Sequence, residues 1–200
     1  MINRIAISAP QRFPVALRYT EIRSYIIASI FILLSVAVPW VFHQFHLAGP
    51  TFLPMHFFVF VAGLLFGWRV GLIVGFLTPL ASYVVSGMPF LYILPQIIVE
   101  LSVYGLVAGV LRERFNLRVI WSLLGAMIAG RLALYLGILV IYLTAGKVYS
   151  PLGSEANPSP VVWAVIKQGG LGMVIQLALI PGSLWLLGKL TTKTSMNRYL

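Results

Sequence analysis

Six long apolar stretches, joined by short links that together with the two ends carry most of the charge, constrain this chain more than any motif does. They run at about Tyr25–Phe42, Phe52–Trp68, Val70–Ser86, Ile93–Leu111, Val119–Ala145 and Pro160–Leu187. Stretches of this length suit helices crossing a hydrocarbon core of roughly 30 Å. Lipid offers the backbone no hydrogen-bond partners, so such spans are helical. Only 9% of the 200 residues are charged against 60% hydrophobic, which leaves no material for a separate soluble domain. The expected fold is therefore an all-α integral membrane protein with six transmembrane helices in one compact bundle over 24–190. A basic tail over 1–23 precedes it and a short tail over 191–200 follows.

The placement of charge gives an orientation. The formal net charge is +10, which in a soluble protein would point to nucleic acid. Here Arg4, Arg12, Arg18 and Arg23 precede the first stretch, and Arg69 lies between the second and third. Arg112, Arg114 and Arg118 lie between the fourth and fifth, and Lys189, Lys193 and Arg198 follow the sixth. With a cytoplasmic N-terminus all of these face inward, and the outer loops hold only Lys147. That asymmetry is the positive-inside pattern, with both termini cytoplasmic. It assigns the basic tail to anionic lipid and excludes nucleic acid as a partner. The first stretch is longer than a signal-peptide core and lacks a small-residue cleavage site. Cysteine is absent, which removes disulfides and thiolate metal sites.

Polar residues inside the stretches mark the candidate site. Gln96, Glu100 and Tyr104 recur at i, i+4 and i+8 on one helical face. A carboxylate at this depth is costly unless partnered, and Arg131 sits at about the same depth on the next stretch. The two are expected to pair, either as a purely structural bridge or with one member used for substrate. Tyr135 and Tyr142 extend the Arg131 face outward. On the sixth stretch Trp163, Lys167 and Gln168 fall in the outer third, where Lys167 either snorkels to the interface or meets a ligand. The candidate substrate-binding residues are thus Gln96, Glu100, Tyr104, Arg131, Tyr135, Trp163, Lys167 and Gln168. Arg131 and Lys167 favour an anionic group, and the aromatic residues favour a ring. Pairing of Arg131 with Glu100 would make an uncharged or cationic ring compound equally suitable.

Small residues mark packing faces. Gly67, Gly71 and Gly75 run into Thr78, Ser82 and Ser86, and Ser102, Gly105 and Gly109 lie opposite the polar face of the fourth stretch; both stripes permit close helix approach. A very short turn near Arg69 predicts that stretches two and three pack antiparallel. His43, His46 and His56 cluster around the first outer loop without a carboxylate or thiolate and read first as interfacial residues, with a ligand or metal contact, as in a metal-uptake subunit, as the alternative. The loop over Gly146–Ser159 is either a lid or a passive connector. No nucleotide-binding loop, zinc-protease motif, serine elbow or paired carboxylates occur, and no cofactor is implied. Three classes stay open on these residues alone: a substrate-binding transport subunit, a freestanding secondary carrier, and an intramembrane enzyme using Glu100 or His56 as a base.

The runs Phe52-Leu53-Pro54-Met55-His56, Ala62-Gly63-Leu64-Leu65-Phe66-Gly67, Gly71-Leu72-Ile73-Val74-Gly75, Leu77-Thr78-Pro79-Leu80, Gly87-Met88-Pro89 and Glu100-Leu101-x-x-Tyr104-Gly105-Leu106-Val107-Ala108-Gly109 belong together. In combination they resemble the substrate-binding S component of energy-coupling factor (ECF) transporters. The resemblance spans about 25–190 and is strongest over 52–111. It implies a multi-pass subunit of a prokaryotic cell membrane that binds a water-soluble vitamin or related micronutrient with high affinity and is not itself an enzyme. It further implies partnership with a transmembrane coupling subunit and two cytoplasmic ATPases, and toppling of the subunit to release its cargo. Many S components carry an Ala-x-x-x-Ala docking pattern on the first helix. Here Ile32 follows Ala28 at that spacing, leaving Ser29, Ser35, Ala37 or the glycine stripe of the third stretch as docking surfaces.

Overall fold

A computed structural model of the chain describes residues 21–44, 53–146, 148–150, 153–155 and 158–196. Six helices account for nearly all of it: α1 (Ile22–Gln44), α2 (Pro54–Phe66), α3 (Trp68–Ser86), α4 (Leu94–Glu113), α5 (Val119–Ala145) and α6 (Pro158–Met196). A small antiparallel hairpin, β1 (Val148–Ser150) with β2 (Gly153–Glu155), stands between α5 and α6, pairing Tyr149 with Ser154. The expected connector between these helices thus contains short strands that the Gly- and Pro-rich sequence did not announce.

Four helices, α1, α3, α4 and α5, are long and apolar enough to cross a membrane. A fifth candidate span is α6, whose halves Ser159–Lys167 and Gly169–Trp185 bend by 44° beside the paired glycines. The expectation of six full spans is met only this far, because the second stretch forms a helix of 13 residues. At 1.5 Å per residue such a helix is roughly 20 Å long, short of the hydrocarbon thickness. Its ends explain its length. Leu53 adopts a left-handed conformation (φ 51°) before Pro54 starts the helix, and Gly67 (φ 91°) stops it.

Gly67 also makes the corner that lets α2 and α3 fold back on each other, as the short link predicted. A Cβ on Gly71 would lie 2.8 Å from the Gly63 Cα, so the two backbones nearly touch just past the corner. The same Cβ would run into the Gly105 carbonyl of α4, and one on Gly75 would run into that of Leu101. The two small-residue stripes therefore pack against each other, with glycine required at the crossing. Around this seam lies the core, with Val59, Phe60, Leu64, Val70, Val74, Leu101, Leu123 and Ile180 wholly buried.

The outside is apolar as well. Val84 is 82% exposed, and Ile22, Leu33, Leu143 and Trp185 are similarly bare. Apolar exposure on this scale over several helices is incompatible with water and is covered by lipid, which makes this a multi-pass membrane protein.

The end of the bundle that bears the basic links is closed by polar contacts. Glu113, at the end of α4, accepts the Trp68 backbone N–H (3.3 Å) and pairs with Arg69 (3.3 Å), whose guanidinium lies 4.7 Å from the centre of the Trp68 ring. Arg112 donates to the Leu117 carbonyl (2.9 Å) across the α4–α5 turn, where Asn116 takes the left-handed conformation that asparagine tolerates.

Candidate functional site

The polar face of α4 arises from helical spacing. Gln96, Glu100 and Tyr104 are all buried, Glu100 to 4% exposure. The neighbouring helix meets this face at Gly130, where a Cβ would collide with the Tyr104 ring. The missing side chain lets α5 approach closely and brings the next residue, Arg131, to Glu100. Arg131 Nη1 lies 3.0 Å from Glu100 Oε1, which also accepts the Tyr104 hydroxyl at 2.8 Å. The other side of the guanidinium rests on α6. Nε and Nη2 lie 3.4 and 3.3 Å from the Met173 sulfur, a weak acceptor. One turn earlier on α6, a Cβ on Gly169 would press to 2.7 Å from Nη2. Three helices thus fix one arginine.

This pair forms the floor of a cavity of about 370 Å³ at the end of the bundle opposite the basic links. Its walls come from Pro39 and Trp40 of α1, Leu53 to His56 at the start of α2, Ser82 and Ser86 of α3, Met88 to Phe90, Gln96 and Ile97 of α4, Leu134 of α5, and Val165 and Gly169 of α6. Gln176 secures the α2 wall by donating to the Leu53 carbonyl (2.8 Å), and that carbonyl also accepts the His56 N–H (3.0 Å). The volume falls within the roughly 300–1,000 Å³ of small-molecule sites, and the lining is mostly apolar with a few convergent polar groups, as such sites are.

Of the residues expected at the site, Gln96, Glu100 and Arg131 line the cavity, and Tyr104 lies behind it as a partner of Glu100. The others are placed elsewhere. Tyr135 lines a second, open groove of about 480 Å³ between α5 and α6, among Leu132, Ile166 and Val174, which shares Arg131 with the cavity. Trp163 is exposed on α6, and the Lys167 ammonium sits 5.2 Å from its ring centre rather than in the cavity wall. Gln168 belongs to α6, but its side chain lies outside the described residues, as do His46 and the side chain of His43. Among the described residues no group of His, Asp or Glu is arranged to hold a metal ion. The structure adds His56, Trp40, Met173 and Gly169. His56 was visible in Leu-Pro-Met-His, but an interfacial histidine has the same appearance in a sequence. Nothing in the spacing singled out Met173.

Comparison with known families decides the assignment: the model of the ECF transporter substrate-specific component matches residues 23–185. The chain belongs to that family. No match emerges among curated proteins or solved structures. This S component is accordingly a substrate-specific membrane subunit of an ECF transporter and a transport protein rather than an enzyme. Family membership implies a small-molecule substrate and interaction with ECF coupling components.

Proposed function

We propose that this S component captures a water-soluble vitamin or related micronutrient with high affinity from the outer side of a prokaryotic cytoplasmic membrane. It hands the cargo to a transmembrane coupling subunit driven by two cytoplasmic ATPases. The observation that carries the reading is the Glu100–Arg131 pair at the floor of the cavity, at the end of the bundle away from Arg69, Arg114 and Arg118. With the basic links inward, the cavity opens outward and both tails, 1–23 and 191–200, are cytoplasmic. Gln96, Glu100 and Arg131 then supply the directed contacts, Tyr104 holds Glu100 in place, and Trp40 and Phe90 offer aromatic surface near the mouth. On α1, Ser35 and Ala28 are turned into the bundle while Ser29 and Ala37 face out, which favours the latter two for docking on the coupling subunit.

Mass spectrometry of the purified protein tests this reading. A micronutrient retained in stoichiometric amount, and lost from Arg131→Ala, is the expected result. A protein that retains nothing from cells or complex medium would sink it. Uptake into energised vesicles by this chain alone, abolished by an uncoupler, would replace it with a freestanding carrier.

A further inference from the structure

His56 is 9% exposed, and neither ring nitrogen has a hydrogen-bond partner among the described residues. Its ring is nevertheless held firmly. It packs against Tyr104 with centroids 5.5 Å apart, Tyr104 packs in turn on Phe60 at 4.7 Å, and the first turn of α2 is tied to Gln176 through Leu53. Leaving buried nitrogens unpaired costs free energy that an apolar side chain of similar size would avoid. The acid that shares the cavity lining with it is already engaged, since Glu100 Oε1 serves both Arg131 and Tyr104. The residue does line the cavity, beside Gln96 and the ion pair.

The charge around it is balanced. Arg131 and Glu100 cancel formally, and Lys167, which would have favoured an anion, is absent from the cavity lining, its ammonium lying 5.2 Å from the centre of the Trp163 ring. An ionised ligand group would bring an uncompensated charge into a partly desolvated site. From these observations we infer that His56 is a specificity-determining contact and that the cavity takes an uncharged ligand presenting a hydrogen-bond donor or acceptor to the imidazole. A neutral imidazole offers one donor and one acceptor, so it matches an amide, lactam or ring-nitrogen edge and rejects an analogue that lacks one. This inference rests on the capture function proposed above and specifies the chemistry of its site.

Binding to the detergent-purified protein tests it with matched pairs that differ by an anionic group: nicotinamide and nicotinate, panthenol and pantothenate, riboflavin and riboflavin phosphate. The expected result is that wild type binds an uncharged member at least about tenfold more tightly than its anionic counterpart. His56→Leu should weaken that binding by about tenfold or more while the ligand-free melting temperature holds or rises, and His56→Gln, which keeps a donor and an acceptor, should retain most of it. A preference for the anionic members, binding of none of the six, or unchanged affinity in His56→Leu overturns the inference. So does loss of binding in both variants in step with a lower ligand-free melting temperature. If the wild type still retains some other micronutrient from cells, capture stands while this inference falls; if it retains nothing, capture falls too.

Discussion

Two carboxylate–arginine pairs hold the fourth helix, and their surroundings give them different work. At one end Glu113 meets Arg69 beside the Gly67 corner, with the two side chains 19% and 28% exposed, and the same carboxylate accepts a backbone N–H at the start of α3. At the other, Glu100 and Arg131 are 5% and 14% exposed, are braced by Tyr104 and Met173, and form part of a cavity wall. The first pair caps a helix and closes a turn where water and salt can reach it. The second lies deep among apolar side chains, where its desolvation is recovered only through several partners at once. Identical chemistry thus fastens a turn at one end and lines a cavity at the other.

Separating these roles gives the largest expected effect. Glu100→Gln leaves the Arg131 charge without its anion, so it should cost about 3–5 kcal/mol in unfolding experiments and weaken micronutrient capture by roughly 100-fold or more. Adding Arg131→Met to Glu100→Gln removes the stranded charge and should restore most of the stability but none of the binding. Full recovery of both in the double variant would mean that the deep pair, like the shallow one, only fastens.

The glycine seam between the two pairs comes next. Gly105→Ala places a methyl group against the Gly71 backbone, where glycine alone fits, and should destabilise the bundle by about 1–3 kcal/mol. Because the seam positions α4 as a unit, affinity should fall together with the melting temperature rather than independently of it. A normal melting temperature would show that the helices separate without cost at this crossing.

Glu113→Gln should act more gently. It removes a part-exposed ion pair worth up to about 1 kcal/mol, keeps an amide oxygen for the Trp68 N–H, and lies at the far end from the cavity. A drop in melting temperature that shrinks as salt is raised, with unchanged ligand affinity, is the expected result. Altered affinity would couple the two ends and erase the distinction between them.

The extent to which the sequence foretold this arrangement follows the range over which each feature is encoded. The helical stretches, the short link between α2 and α3, the two small-residue stripes and the Glu100–Arg131 pairing depend on local periodicity and on the cost of charge in lipid, so they could be read directly, whereas that the two stripes meet each other could not. The α2 ends depend on single backbone conformations at Leu53 and Gly67, which shortened a stretch that looked able to span. Met173 is invisible in a sequence because its role depends on the rotation of α6 relative to α5, and no periodicity reports that. The same rotation decides the status of Lys167.

That rotation is also where the smallest effect is expected. Val165 and Gly169 line the cavity at i and i+4, and Met173 continues their stripe to Arg131. At about 100° per residue, Lys167 lies roughly 200° around the helix from Val165, on the stripe it shares with Trp163. The company of Trp163, Gln168 and the glycines leaves Lys167 open between snorkelling and ligand contact, because such company says nothing of azimuth. Lys167→Ala should therefore lose only an exposed cation–π contact worth about 0.5–1 kcal/mol and change ligand affinity less than about twofold. A tenfold loss in a calorimetric titration would mean that the outer half of α6 turns its Trp163 face inward when ligand binds, making the 44° bend next to Gly169 part of the recognition site rather than a fixed feature of the helix.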